Sequence, residues 1–146
     1  MADLIKTVLL AFLGSVFPVI LFNIDRHKII YCGIGGALGW LVYSLFVTTL
    51  GAVGASFFGA FAVNAYSEIL ARKLKTPASM FYIPGIFPLV PGITAFQTII
   101  AIVEKNLPLA VEQAILMLSV AGAIAFGVML STQIFKLKAK RRPKNQ

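Results

Sequence analysis

Four long stretches of this sequence carry no Asp, Glu, Lys, Arg or His. They cover residues 7–24, 29–67, 76–103 and 113–135. A helix that spans a bilayer needs about 20 mostly apolar residues, so the second stretch is long enough for two spans and each of the others for one. We therefore predict an all-α polytopic membrane helix bundle. Its transmembrane domain would cover 1–135, with about five spans at about 4–24, 29–50, 52–70, 78–103 and 113–135.

The composition excludes a disordered tail and a soluble globular fold. Of the 146 residues, 59% are hydrophobic and 12% are charged, against roughly a quarter charged in ordinary soluble domains. Cys32 is the only cysteine, so no internal disulfide can form, and no His/Cys cluster indicates a metal. We expect no cofactor and no metal. The first apolar run is interpreted as an uncleaved span, because no small-x-small cleavage site follows it.

The net charge is +8, and the Lys and Arg residues are unevenly distributed among the predicted loops. With five spans, two of the thirteen Lys and Arg residues fall on one side of the membrane, Lys6 and Lys105. The other side receives Arg26, Lys28, Arg72, Lys73, Lys75, Lys136, Lys138, Lys140, Arg141, Arg142 and Lys144. Because cytoplasmic loops are enriched in Lys and Arg, we predict an outside N-terminus and a cytoplasmic C-terminus. Four spans would remove this asymmetry.

The C-terminal segment 136–146 is strongly basic. A nucleic-acid interface was considered, but no aromatic residues are interleaved there to stack on bases. Cations next to a membrane span commonly anchor the helix end and attract anionic lipid. We therefore predict a basic cytoplasmic tail whose partner is the lipid bilayer, and no nucleic acid.

Small residues at a spacing of four recur in the predicted spans, as expected for helices that pack closely in lipid. One such row, which starts at Ala52, ends in two polar residues, Asn64 and Glu68. An ionisable residue within a span is a functional candidate by default, which suggests a gating or proton-coupling role for Asn64 and Glu68. An ordinary ion pair between Glu68 and Arg72, one turn later, is the alternative.

The fourth apolar stretch contains a dense cluster of proline and glycine between residues 83 and 92. Pro84, Pro88 and Pro91 lack backbone donors, and Gly85 and Gly92 permit conformations closed to other residues. This segment is therefore predicted not to form a regular helix, and it lies near the middle of its span. Irregular backbone at that depth must be buried in protein or face water. A kinked span whose prolines only set a packing angle is the alternative.

A discontinuous helix is a common way for transporters to build a substrate site. The half-helix that starts near Gly92 would present free amide groups to an anionic substrate group. Its first turns carry Thr94, Gln97 and Thr98, whose spacing places three neutral hydrogen-bonding side chains along one face. A carboxylate could be held there without an arginine. The substrate-pathway candidates on this segment are Pro84, Gly85, Pro88, Leu89, Pro91, Gly92, Thr94, Gln97 and Thr98.

No motif indicates an enzyme. The sequence has no nucleotide-binding loop, no Ser/His/Asp arrangement and no clustered carboxylates for metal-dependent chemistry. Two classes of function remain from the residues alone. One is a transporter subunit, and the other is a non-transporting membrane subunit for assembly or structure. The Pro/Gly break favours transport, because an assembly subunit does not need it.

The run Pro-Gly-Ile-Phe-Pro-Leu-Val-Pro-Gly at 84–92 resembles the PLVPG signature of the threonine/serine exporter family, and in particular its small subunit. That subunit corresponds to the C-terminal half of longer fused exporters. The resemblance covers most of the chain, although only the PLVPG region is specific. The motif residues carried over are Pro84, Gly85, Pro88, Leu89, Pro91 and Gly92.

The resemblance implies a secondary transporter that exports threonine, serine or related small carboxylates across the bacterial inner membrane. It also implies a hetero-oligomer with a larger multi-span membrane subunit of the same family. Neither the coupling ion nor the stoichiometry follows from these residues. Proton-driven antiport is a hypothesis based on Glu68, the only acidic residue near a span interior.

Overall fold

The computed structural model describes residues 2–21 and 24–140, and most of them are helical. The main helices are α1 (Ala2–Leu21), α2 (Ile29–Leu74), α3 (Ser79–Ile86), α4 (Gly92–Val103) and α5 (Leu107–Lys140). Short 3-10 helices at Arg26–Lys28 and Phe87–Leu89 precede α2 and follow α3. The prediction of an all-α bundle is confirmed. Of the predicted basic tail, positions 141–146 lie outside the described residues.

The longest helix, α2, folds back on itself at Gly51. Gly51 has φ 67° and ψ −178°, a non-helical conformation that a residue without a Cβ adopts readily. Its two arms, 29–50 and 52–74, pack side by side in opposite directions. The Tyr66 hydroxyl of the second arm donates a hydrogen bond to the Tyr31 carbonyl of the first, at 3.2 Å. Nearer the turn, a methyl group added at Gly39 would touch Val63.

Three helices in the described part of the chain are long and apolar enough to cross a membrane. They are Asp3–Leu21, Arg26–Leu74 and Leu107–Leu137, and the bent pair Ser79–Leu89 and Gly92–Val103 makes a fourth candidate. Because Arg26–Leu74 contains the hairpin, it supplies two segments. Each arm of α2 is about 33 Å long at 1.5 Å per residue, enough to cross a bilayer. The chain thus provides five segments in the predicted order.

Glycines let the other helices approach the α2 hairpin closely. A Cβ at Gly36 would collide with Ser15 of α1, and one at Gly127 of α5 would lie 2.5 Å from the Phe57 carbonyl oxygen. A Cβ at Gly85 of α3 would lie 2.7 Å from the Val63 side chain. Since lipid provides no hydrophobic force between helices, such close contacts are what hold the bundle together.

Pro84 lies inside α3, so the helix extends into the first part of the Pro/Gly segment before the segment breaks. A proline in a helix leaves the carbonyl four residues earlier without its usual donor, here that of Met80. The Cys32 thiol of α2 donates a hydrogen bond to this carbonyl, at 3.4 Å. A donor from a neighbouring helix therefore replaces the missing N–H, and the helix continues past Pro84.

The last helix begins earlier than the predicted span at 113. Asn106 caps it, because the Leu109 N–H donates to the Asn106 side chain at 3.4 Å and the Ala110 N–H to the Asn106 carbonyl at 3.0 Å. Pro108 fits the first turn of a helix, where its missing N–H costs nothing. The predicted loop between Glu104 and Glu112 is consequently short.

Candidate functional site

The fourth membrane segment breaks at Val90 and Pro91. Val90 is extended, with φ −63° and ψ 131°, and Pro91, with φ −77° and ψ 57°, precedes the first residue of α4. The two helical parts are bent by 50°. Pro88 and Pro91 have no N–H to donate, so the helical hydrogen-bond pattern cannot pass through this point. The prediction of a fourth span broken by the Pro/Gly motif is confirmed.

Leu89 fixes the break against the α2 hairpin. Its side chain is 5% exposed and belongs to the apolar cluster between α2 and α5. Methyl groups added at Gly39 and Gly59 would lie 3.5 Å and 3.1 Å from Leu89 Cδ1. The missing side chains at these two glycines leave room for Leu89 between the arms. Packing therefore holds the bend in place.

A cavity of about 200 Å³ lies beside the break. Three parts of the fold line it: both arms of α2, the broken segment and α5. The lining residues are Trp40, Tyr43, Ala52, Ser56, Pro88, Leu89, Val90, Pro91, Gly92, Ile93, Thr94, Leu116 and Val120. None of these side chains is charged, so any polar recognition in the cavity uses neutral groups.

The N-terminus of α4 opens on this cavity. The Gly92 N–H donates to the Val90 carbonyl and the Ala95 N–H to the Pro91 carbonyl, at 2.8 Å and 3.0 Å. The N–H groups of Ile93 and Thr94 have no partner within the helix by its geometry, and no side chain caps them. The positive end of the α4 dipole therefore meets the cavity.

The three neutral side chains predicted along α4 separate in the structure. Thr94 lines the cavity, and its hydroxyl donates to the Pro91 carbonyl at 3.0 Å. The Thr98 hydroxyl donates to the Thr94 carbonyl at 2.8 Å, one turn farther from the break. Gln97 is exposed and lies outside the cavity lining. Of the three, the structure brings only Thr94 to the break.

Two aromatic residues and a serine of α2 complete the lining. Trp40 and Tyr43 are stacked, with ring centroids 5.1 Å apart and planes inclined by 27°. The Trp40 Nε1–H is buried without a hydrogen-bond partner. Ser56, on the second arm, is 1% exposed. These residues precede Pro88 by 32 to 48 positions, so they reach it only through the hairpin.

Comparison with known proteins decides the family. The family model described as "Threonine/Serine exporter, ThrE" matches residues 7–134. The chain belongs to the threonine/serine exporter family. Membership indicates a membrane transport protein rather than an enzyme. It also agrees with the resemblance of the PLVPG motif.

Two relatives of this chain are much longer than the region that it matches in them. A protein of Corynebacterium glutamicum named "Threonine/serine exporter" is 29% identical over 119 residues, which cover 82% of this chain and 24% of the relative. An "Uncharacterized protein" of Haemophilus influenzae is 24% identical over 144 residues, covering 92% and 48%. The chain thus spans about a quarter of one relative and half of the other. No solved structure matches it.

The exporter motif does not form one cluster. Pro88, Leu89, Pro91 and Gly92 line the cavity. Pro84 and Gly85 are buried elsewhere, on the face of α3 that packs against α2. We interpret Pro84 and Gly85 as residues that position the broken segment. The four residues that line the cavity would shape it.

Asn64 contacts α5, and neither Asn64 nor Glu68 lines the cavity. Asn64 is fully buried, and its Nδ2 donates to the Val128 carbonyl at 3.2 Å and to the Thr132 hydroxyl at 2.9 Å. Its Oδ1 is buried without a partner. A Glu68 carboxylate oxygen lies 3.9 Å from Arg72. The Asn64 hydrogen bonds join α2 to α5, whereas the Glu68–Arg72 pair lies within α2.

A second cavity of about 300 Å³ lies on the other side of Trp40 and Pro88, against α1. Thr7, Leu10, Ala11 and Gly14 form its α1 wall. Trp40 and Pro88 line both spaces and so lie between them. Within the described ranges, no three His, Cys, Asp or Glu side chains are grouped to hold a metal ion.

Proposed function

We propose that this chain is one subunit of a secondary transporter that exports threonine, serine or related small carboxylates. The observation that carries the proposal is the family match over residues 7–134. The relative from Corynebacterium glutamicum carries the name of such an exporter. The substrate class comes from that name and from the family description.

The proposed partner is a larger multi-span membrane protein of the same family. The lengths of the two relatives support it, since this chain covers 24% of one and 48% of the other. Five segments are also few to enclose a pathway with alternating access. Transporters of this kind commonly rock two halves about a shared site near the bilayer midplane.

The proposed substrate pathway runs through the cavity beside the break. The bent segment, the free end of α4 and the uncharged lining support it, because discontinuous helices with exposed amides are used this way in transporters. Pro88, Leu89, Pro91, Gly92 and Thr94 line that space. Pro84, Gly85, Gln97 and Thr98 would act indirectly, through the position of α3 and α4.

Asn64 and Glu68 are proposed to take part in coupling or gating. An ionisable side chain within a membrane span is costly and is commonly functional. The Glu68 side chain is 18% exposed. Its carboxylate lies 3.9 Å from Arg72, one turn later in α2. Arg72 in turn donates a hydrogen bond to the Phe135 carbonyl of α5, so Glu68 is linked to α5 through Arg72.

We place the subunit in the bacterial inner membrane, with the N-terminus outside and the C-terminus in the cytoplasm. The sorted Lys and Arg residues support this orientation. Reporter fusions at the two termini test it. Both reporters on the same face would contradict it.

Efflux of preloaded labelled threonine and serine tests the function. Cells without background exporters would express this chain and its candidate partner, separately and together. We expect efflux only when both are present. No efflux in any combination, with both proteins shown in the membrane, would contradict the proposal and favour a non-transporting assembly or structural subunit.

A further inference from the structure

We propose that one side of α4 is the docking surface for the larger membrane subunit, and that the docked subunit closes the cavity beside the break. This side, the Gln97 strip, consists of Ile93, Gln97 and Ile100. Their spacings of four and three place them in one row along the helix. The inference rests on the proposed export function with a partner, and it assigns that partner a surface.

Gln97 is a polar side chain exposed at membrane depth. Its amide makes no hydrogen bond to any part of the chain that the structure describes. It lies roughly 8 Å along the helix from Gly92, at the break, and roughly 10 Å from Glu104, in the next loop. Helical side chains lean towards the N-terminus of their helix, so Gln97 leans towards the break and away from that polar loop. Lipid tails offer an amide no hydrogen-bond partner at this depth, whereas a second protein does.

The break itself is only partly covered beside this strip. Val90 has extended, non-helical backbone and is 52% exposed, and Ile93 is 76% exposed. Both residues line the cavity, whose inner wall at Leu89 and Val120 is buried. Irregular backbone at membrane depth is tolerated only where protein buries it or where it lines a water-filled space. Since the described part of the chain leaves about half of Val90 uncovered, a second protein has to supply the rest of the cover.

The remaining exposed side chains of α4 distinguish this strip from a lipid-facing surface. Phe96, Ile99 and Val103 are exposed and form a purely apolar row on another side of the helix, as lipid contact requires. The Gln97 strip lies between this row and the buried side of α4, where Ala101 is fully buried. α4 packs mainly against α5, whereas α1, α3 and α5 each pack against the α2 hairpin. A docked partner would give α4 its second neighbour.

The larger subunit is the occupant that the relatives favour. This chain covers 48% of the Haemophilus influenzae relative and 24% of the Corynebacterium glutamicum exporter. At least half of each relative therefore lies outside the matched region and is held next to it by the polypeptide chain. The partner surface should be apolar, with a hydrogen-bonding side chain at the level of Gln97, because helices in lipid associate through close packing and interhelical hydrogen bonds.

Photocross-linking in membranes tests the surface directly. A benzophenone amino acid would replace Gln97 in one variant and Ile99, in the apolar row, in the control. Each variant would be expressed with the candidate partner and illuminated. We expect at least fivefold more product containing both chains from position 97 than from position 99. A product made of two copies of this chain, or equal products at the two positions, would overturn the proposal.

Gln97→Leu tests the role of the amide. The variant keeps a side chain of similar length, and we expect the dissociation constant of the complex in liposomes to rise about threefold to tenfold, as loss of one hydrogen bond between membrane helices produces. The chain without its partner should be at least as stable as the parent, because no amide is left in lipid. Gln133→Leu is the matched control, since Gln133 is another exposed glutamine, on α5. Unchanged affinity in Gln97→Leu would overturn the role of the amide.

The outcomes separate the surface from the function. A cross-link from position 97 to the partner without efflux of threonine or serine would support the surface and contradict the export function. Efflux together with a cross-link from position 99 and none from position 97 would overturn the surface and leave the export function standing. Absence of both efflux and cross-links would contradict both.

Discussion

The Cys32 thiol of α2 donates a hydrogen bond to the Met80 carbonyl of α3 at 3.4 Å, and Met80 holds the carbonyl that Pro84 leaves without a helical donor. Cys32 is buried, and it packs in one apolar cluster with Phe81 and Val19. This contact ties α3 to α2 at the start of the broken segment. It also explains how a helix with an internal proline persists in the bundle.

Replacing Cys32 by alanine leaves the Met80 carbonyl unpaired. Since hydrogen bonds between membrane helices contribute about 0.6–2 kcal/mol, we expect Cys32→Ala to lower the free energy of unfolding by about 1 kcal/mol. Cys32→Ser keeps a donor and should lose less. Thermal or denaturant unfolding of the purified chain in one fixed detergent measures both.

A double-mutant cycle isolates this contact. Pro84→Ala restores an N–H that can bond to the Met80 carbonyl. The loss caused by Cys32→Ala should therefore shrink in the Pro84→Ala background. An equal loss in both backgrounds would show that Cys32 acts only by filling space.

Two glycines of α5 form a matched pair. A Cβ at Gly127 would lie 2.5 Å from the Phe57 carbonyl oxygen, whereas one at Gly122 meets nothing within 4 Å. We expect Gly127→Ala to destabilise the bundle by about 1–3 kcal/mol, as overpacking does. Gly122→Ala should be neutral or slightly stabilising, because alanine favours a helix. The yield of folded protein in membranes compares them, and equal yields would contradict the close α2–α5 contact.

Glu68→Gln separates coupling from packing. Arg72 keeps other partners without the carboxylate, since it donates to the Phe135 carbonyl at 2.8 Å and its guanidinium lies 5.2 Å from the centroid of the Phe135 ring. We therefore expect the variant to fold normally but to export more slowly, with an altered pH dependence. Efflux over a range of external pH measures this. An unchanged rate and pH profile would reduce Glu68 to a structural ion pair.

Gly92→Leu should block the cavity without unfolding the protein. A Cβ at Gly92 meets nothing within 4 Å, so the backbone there accepts a side chain, and Gly92 lines the cavity. We expect at least a tenfold loss of efflux, as roughly 1.4 kcal/mol of lost binding produces. Membrane level and melting temperature should stay near those of the parent chain. Full export by this variant would exclude the cavity from the pathway.

The sequence predicts the bundle and the break because both depend on local features. Uncharged stretches indicate the membrane helices. Pro88 and Pro91 have no N–H and therefore interrupt the helical hydrogen bonds. The turn at Gly51 separates the two predicted spans of the long apolar stretch. The helical state of Pro84 could not be predicted, because it depends on Cys32, 52 positions earlier.

Of the cavity lining, the sequence predicted only the residues of the Pro/Gly segment and Thr94. Trp40, Tyr43 and Ser56 reach the break through the α2 hairpin, and their positions along the chain give no sign of it. Periodicity alone placed Thr94, Gln97 and Thr98 on one face. It could not show that the cavity ends at Thr94, since that depends on where α5 packs. Asn64 was predicted as a coupling or gating candidate, and its hydrogen bonds to α5 became known only from the fold.

The proposed export function requires the break to line a water-filled substrate pathway. Gly92→Cys in the Cys32→Ser background places a single thiol at the break, and Ile99→Cys places one on α4 away from the cavity lining, where Ile99 is 61% exposed. Reaction with a membrane-impermeant thiol reagent should be measured in membranes that hold this chain and its partner. We predict rapid labelling at position 92, slowed by threonine, and little labelling at position 99. Equal labelling at the two positions, or labelling at position 92 that threonine does not change, would contradict a substrate pathway at the break.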